Sequence, residues 1–329
     1  MYLYIVLLIF ILLFQASSSG PENFQEEHFT KNFELPLRGF FTLVIVFHHL
    51  SQYLDTPGPF RVFLEVGILC VAAFFFYSGY GLRKSVLTNP GYFHHFFLRR
   101  YIKIFVPFFL CNAIYLFVYW LTGDRYGIRL SLEYLSGIQL INPQAWYIIV
   151  IALFYFVFFL AFRYIRKPAV SFLALGIFQV AFPTYCMYYP LLLAAAVTFL
   201  YFFPKSVQVL DKIEPLLLNE HIFVREMLES WICFIWQTLA VISFVAFVFL
   251  LTLKIKFNNV FLRFLGTHSF ELYLIHGLFL EIFRSDGFYI KSDFIYTAVV
   301  LIFSLGLTAL MYYPFKMISR KLQEYSLQL

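Results

Sequence analysis

The chain is poor in charge. Only 13% of its 329 residues are Asp, Glu, Lys or Arg, about half the share of a soluble domain, which excludes a water-soluble domain and a disordered tail. Four cysteines are present (Cys70, Cys111, Cys186 and Cys233), all in or beside apolar segments and none in CxxC or CxxH spacing. This pattern excludes a secreted disulfide scaffold and a cysteine-based metal centre, leaving the thiols as small core hydrophobes. There is no Walker loop, GxSxG elbow or HExxH pair, and no GxGxxG opening a βαβ unit; the chemistries those motifs carry have no anchor here. No Lys or Arg precedes the first apolar run, Met1–Phe14, where a secretory signal has a basic start. The small residues Ala16–Ser19 keep a cleaved signal open, but a short additional helix is the stronger expectation. No internal repeat is visible.

What the sequence has in excess is apolar and aromatic. Hydrophobic residues make up 62% and aromatics 22%, with mean hydropathy +0.80. Phenylalanine alone (46) outnumbers the 24 Lys and Arg and the 18 Asp and Glu taken together. The apolar residues come in runs of about 20, the length that crosses a bilayer. The predicted fold is therefore an all-α, polytopic transmembrane helix bundle. Nine core crossings are expected near Leu35–Leu54, Phe60–Leu82, Tyr101–Leu121, Ala145–Phe162, Pro168–Phe182, Tyr185–Phe203, Trp231–Leu253, Val260–Phe283 and Asp293–Phe315. A tenth between Pro168 and Trp231 stays open. Residues 1–33 read as a short apolar segment and polar linker, 34–317 as the membrane domain and 318–329 as a basic tail. Pro36, Pro107, Pro168 and Pro314 are expected near helix ends, where a missing N–H is tolerated.

A net charge of +6 and a pI near 9.0 would suggest nucleic acid in a soluble protein. Here the cations cluster at the ends of apolar runs, so they read as topology and anionic-lipid contact, with no nucleic-acid partner. Arg83, Lys84, Arg99, Arg100 and Lys103 mark the loop between the second and third spans as cytoplasmic. The first span then runs outward from Arg38 to Ser51. Nine crossings leave Lys316, Arg320 and Lys321 on the opposite side, which the charge rule disfavours; ten bring them back.

Ionisable residues at bilayer depth are costly and need a reason. Arg38 and His49 share a helix face, three turns and about 20° apart, roughly 16 Å along the axis; His48 points about 100° away. One reading is a snorkelling arginine and a histidine bonded to a neighbouring helix. The other is a cation in line with a buried titratable base, the usual role of histidine. Ser78, Gly79 and Gly81 in AFFFYSGYGL suit close approach of a helix or ligand. Arg99, Arg100 and Lys103 form one basic face suited to phosphates or to lipid headgroups. In GTHSFELYLIHGLF, Ser269, Tyr273 and His276 stack on one face while Glu271 lies on another; His268 is expected at the interface. An intramembrane Glu near a His would also suit a proton relay in a transporter. Trp146 and Tyr147 at a span start fit an aromatic belt. His28, His94, His95 and His221 fall in loops and receive no role.

In this order, the pieces resemble the acyltransferase-3 family of integral membrane O-acyltransferases. LRGFFTLVIVFHHL is similar to its R-x10-H first helix, FFFYSGYGL to its SG-containing second, and FLRRYIKIFVP to its basic third-helix start, with Lys103 where arginine is common. AWYI resembles a recurrent tryptophan-containing helix start, and GTHSFELYLIHGLF the late G-x-x-S, Y-x-x-H helix. The resemblance covers residues 35–283; Pro204–Ser230 matches no family pattern, and family members usually have ten core helices with both ends cytoplasmic. It implies transfer of an acyl group, usually acetyl, from acetyl-CoA to a hydroxyl of a carbohydrate or related cell-envelope molecule, by a multi-pass cell-membrane enzyme. His49 would be the catalytic histidine with Arg38 its partner near the donor, and Arg99, Arg100 and Lys103 would meet the CoA phosphates. Ser78, Gly79, Trp146, Ser269, Tyr273 and His276 match supporting positions. The expected partners are acyl-CoA, the hydroxyl-bearing acceptor and membrane lipids, with no metal and no permanently bound cofactor. The competing readings are a proton-coupled transporter or flippase of an envelope precursor, and a catalytically inactive relative acting as a scaffold.

Overall fold

The computed structural model describes residues 1–19, 25, 30–165, 170–171 and 222–328. Ten α-helices occur among these residues: α1 (Tyr2–Leu13), α2 (Lys31–Tyr53), α3 (Arg61–Thr88), α4 (Phe96–Thr122), α5 (Ile128–Ser136), α6 (Trp146–Tyr164), α7 (Ile222–Lys254), α8 (Val260–Thr267), α9 (Ser269–Ile282) and α10 (Asp293–Gln328). The only sheet among them is a two-residue pairing, Ser17–Ser18 antiparallel to Ile255–Lys256. Among the described residues six stretches are long and apolar enough to cross a membrane: Asn32–Tyr53, Gly58–Thr88, Phe96–Thr122, Pro143–Tyr164, Phe234–Lys254 and Asp293–Tyr325. Helices dominate because no water in the hydrocarbon satisfies backbone N–H and C=O groups, which must pair within their own segment.

Two expectations are corrected here. The run Val260–Phe283 is not one helix: α8 and α9 meet at a break at His268, whose backbone leaves the helical region. His268 is buried, its ring 4.2 Å between centroids from each of Phe264 and Tyr312. Pro107 and Pro314 lie inside helices rather than near their ends, because α4 and α10 run on beyond the apolar stretches into flanking polar turns. The spans expected at Pro168–Phe182 and Tyr185–Phe203, and the open tenth crossing, fall almost wholly outside the described residues, as do Cys186 and the side chain of Cys233. Cys70 and Cys111 are buried free thiols, as read from the sequence.

Helix α2 is the axis of the bundle. Of its apolar window 72% is buried, against 22% for Phe234–Lys254 on α7, whose Ile235, Leu239, Ile242 and Leu250 face outward. Between apolar helices in lipid, burial of hydrocarbon supplies little drive, so close packing and polar contacts decide. On one side α2 and α8 cross with backbones touching: a Cβ built on Gly39 would stand 2.1 Å from the Leu262 carbonyl oxygen, and one on Gly266 1.9 Å from that of Leu35. Asn259 sets this up by accepting from the Phe261 and Leu262 N–H groups at the start of α8 while its Nδ2 donates to Ile11 O on α1 (2.9 Å).

The two ends of α10 resolve the side of the C-terminal cations. Gln323 Nε2 donates to Arg99 O (3.2 Å), so Lys316, Arg320 and Lys321 approach the basic side where α4 begins. At the other end, Asp293 accepts from the backbone N–H groups of Asp55 (3.1 Å) and Thr56 (2.8 Å) just past α2. There Arg284 forms the staple. It donates to Tyr53 O (3.0 Å), Ile290 O (2.9 Å), Asp55 Oδ2 (3.1 Å) and Asp293, with side-chain exposures of 9% for Arg284 and 10% for Asp293. The Asp55 arm, 55% exposed, is screened and worth little. Removing one partner of the inner pair strands a buried charge, so Arg284→Ala should cost about 3–5 kcal/mol. A thermal midpoint in detergent within a degree of wild type would refute this assignment.

Candidate functional site

An internal cavity of about 700 Å³ opens between α2, α3, α4, α6 and α9. Successive turns of one α2 face supply Glu34, Arg38, Thr42 and Ile45. Helix α3 supplies Phe74, Tyr77, Ser78 and Gly81, α6 supplies Tyr147, Ile151 and Tyr155, and α9 supplies Ser269, Phe270 and Tyr273. Lys84, Arg100 and Lys103 line the cavity at its basic end, where Lys84 and Lys103 are exposed. The cavity thus has a cationic mouth and an aromatic interior. Arg38 lies over the Phe74 ring at 5.9 Å, and its Nε is buried without a hydrogen-bond partner.

His49 is the next residue of the Arg38–Thr42–Ile45 face, one turn beyond the last cavity-lining position. It is buried at 9% exposure rather than turned toward the surrounding lipid. Its ring meets that of His276 at 5.1 Å and that of His48 at 4.9 Å. His276 in turn continues the Ser269–Tyr273 face of α9; it is fully buried, 5.9 Å from the Tyr273 ring, with Nε2 unpartnered. Two helices therefore bring matching faces together, each with its histidine one turn beyond its last cavity-lining residue, Ile45 on α2 and Tyr273 on α9; neither histidine lines the cavity itself. Tyr273 is anchored by donating its O–H to the backbone carbonyl of Gln144. That carbonyl is held by a turn the sequence encodes as Asn-Pro: Asn142 Oδ1 accepts from Gln144 N (3.0 Å) and its Nδ2 donates to Leu274 O (3.0 Å). Gly277 admits this turn, since a Cβ there would meet Tyr115 Oη at 2.7 Å and Asn142 Oδ1 at 2.8 Å.

The remaining site residues divide. Ser78 Oγ and Tyr155 Oη are 2.9 Å apart, and both residues, with Ile151, also wall a second cavity of about 560 Å³ that is almost wholly apolar. Gly79 lines that second cavity and Gly81 the first, and nothing lies within 4 Å of a Cβ built on either; they open space rather than admit a helix. Arg100 donates to Tyr92 Oη and lies over the Tyr155 ring at 5.6 Å. Arg99 is directed elsewhere: it donates to the carbonyls of Tyr92 (2.7 Å) and His94, tying down the loop before α4, and does not line the cavity. Trp146 is half-buried, edge-on to Tyr147 at 6.3 Å, and Tyr147 rather than Trp146 reaches the cavity. Glu271 is half-buried, with Arg38 and Lys316 the cations acting on it. Tyr155, Tyr92 and Gln144 carry no sequence signal; their roles come from which helix packs beside which. Among the described residues no group of three or more His, Cys, Asp or Glu is arranged to hold a metal ion.

A bundle of bilayer-length helices around a cavity that is cationic at one end, with a buried histidine pair one turn beyond its lining, defines a polytopic membrane protein with an internal site. The sequence model of the acyltransferase-3 family, described as an acyltransferase domain, matches residues 37–223, more than half of the chain. The protein belongs to this family of membrane acyltransferases. The match includes Arg38, His49, Ser78 and Arg100; Ser269, Tyr273 and His276 lie beyond it. Comparison with curated proteins and with solved structures returned no match.

Proposed function

We propose that the protein transfers an acyl group, acetyl in the simplest case, from acyl-CoA to a hydroxyl of a cell-surface carbohydrate or related envelope molecule, at the cell membrane. The observation that carries this reading is the single α2 face that runs from the cavity's cationic end, past Arg38, to buried His49. The CoA phosphates would stay at Lys84, Arg100 and Lys103 while the pantetheine arm extends past Arg38 toward the histidines. An alcohol is a poor nucleophile until a base takes its proton. His49 would take that proton as the oxygen attacks the thioester carbonyl, and return it to the departing thiolate.

The direct test supplies labelled acetyl-CoA and extracted envelope glycans to the purified protein. Label appearing in an ester on a glycan hydroxyl supports the enzyme. Glycan accumulating unmodified in proteoliposomes supports the transporter. The donor site has its own prediction. Charge-assisted contacts to phosphate are worth about 1.5–3 kcal/mol each, so Arg100→Ala with Lys103→Ala should raise KM for acetyl-CoA at least ~10-fold while kcat changes little. Arg99→Ala should leave KM near wild type. Unchanged KM in the double variant would assign Arg100 and Lys103 to lipid headgroups.

A further inference from the structure

The rings around His49 are joined by hydrogen bonds whose direction is fixed at one end. A backbone carbonyl can only accept. His48 Nδ1 lies 2.9 Å from Phe63 O, so in neutral His48 the proton is on Nδ1 and the lone pair on Nε2. Gln52 Nε2 lies 3.2 Å from that Nε2, and it must be the donor. The same amide then turns Oε1 toward His49 Nδ1, at 3.5 Å, and an amide oxygen only accepts. His49 therefore holds its proton on Nδ1 and presents its lone pair on Nε2. The origin of the chain is rigid: the His48 ring lies flat on α3 at Gly67, where a built Cβ would stand 2.5 Å from Cγ and 2.8 Å from Nδ1 of His48. His276 reaches the same tautomer independently, with Nδ1 at 3.2 Å from Leu272 O, so its buried Nε2 offers His49 no competing proton.

We infer that Gln52 and His48 are positioning residues for acyl transfer, relaying the Phe63 carbonyl to His49 so that its Nε2 is the base. The inference rests on the proposal that His49 is that base. In the reaction the acceptor O–H bond breaks and a proton joins His49 Nε2. The oxygen forms the ester bond, the C–S bond of the thioester breaks, and the thiolate takes the proton back. While His49 is an imidazolium, its Nδ1–H donates to Gln52 Oε1, which stabilises the charge without itself taking the proton, as an orienting partner does for a catalytic histidine.

The test compares Gln52→Leu, which removes both arms of the amide, with Gln52→Glu, which keeps an oxygen for His49 Nδ1–H and loses the donor to His48. Loss of the partner that orients a metal-bound histidine costs about 10–100-fold, and a loss of that order is expected here. The leucine variant should lose that much kcat with KM for acetyl-CoA within about twofold, because donor contacts are untouched; the glutamate variant should recover only part of the loss, because it keeps the acceptor for His49 Nδ1–H but breaks the link to His48. Nitrogen-15 NMR of histidine-labelled protein should show His49 protonated on Nδ1 in the wild type and in a tautomer mixture in Gln52→Leu. Wild-type kcat in Gln52→Leu, or an unchanged His49 spectrum whatever the rate, overturns the inference. If His49→Ala itself still transfers acetyl, the base assignment fails instead; the NMR comparison reads the tautomer without turnover and separates the two.

Discussion

His49→Ala abolishes acyl transfer while the protein still inserts and folds: this is the expected result with the largest functional effect. A positioned general base contributes about 10²–10⁴ in rate. Among the described residues the lost side chain makes one hydrogen bond, at 3.5 Å to Gln52, so the structural cost should be near that of one weak bond and some ring packing, about 1–2 kcal/mol. Arg284, which staples the far end of the bundle, stays in place, and the variant should elute from size exclusion as wild type does. The measurement is O-acetylation of envelope glycans, read as a mass shift after the gene is deleted and restored with either allele. Restoration of the acetyl mass by His49→Ala would remove His49 from the chemistry and leave it as a packing partner of His276.

The fold was largely legible because bilayer crossing imposes long apolar runs, and α2, α3, α4, α6 and α10 lie where those runs were read. The α8–α9 break was not, since Val260–Phe283 is apolar throughout and a local turn at His268 leaves hydropathy unchanged. The site was half legible. Helical spacing placed Arg38 and His49 on one face, and Ser269, Tyr273 and His276 on another, but spacing says nothing of which faces meet. Only packing brings His49 within 5.1 Å of His276 or sends Arg99 to the Tyr92 and His94 carbonyls while its neighbours Arg100 and Lys103 line the cavity. Gln52, the residue that orders the tautomers, is a glutamine at an ordinary exposed helix position, and nothing in its sequence context marks it.

A large structural effect is also expected at the crossing of α2 and α8. A Cβ added at Gly266 meets Leu35 O at 1.9 Å and Leu35 C at 2.7 Å; one added at Gly39 meets Leu262 O at 2.1 Å and Gly266 N at 2.8 Å. All four are backbone atoms, so no rotamer change relieves the clash and the helices must part. Overpacking of a rigid contact costs about 1–3 kcal/mol and more where the backbone cannot yield, and in lipid close small-residue contact is itself what holds helices together. Gly266→Ala and Gly39→Ala should each lower the thermal midpoint in detergent by several degrees or prevent recovery of folded protein. The partial unfolding would carry Arg38 with it, because Arg38 adjoins Gly39 on α2, so surviving protein should also lose acyl-CoA affinity. Gly306→Ala on α10, where nothing lies within 4 Å of the added carbon, is the control and should stabilise by about 0.5–1 kcal/mol. Equal midpoints for Gly266→Ala and Gly306→Ala would mean that α2 and α8 are not in backbone contact, and the geometry that aims Arg38 into the cavity would lose its support.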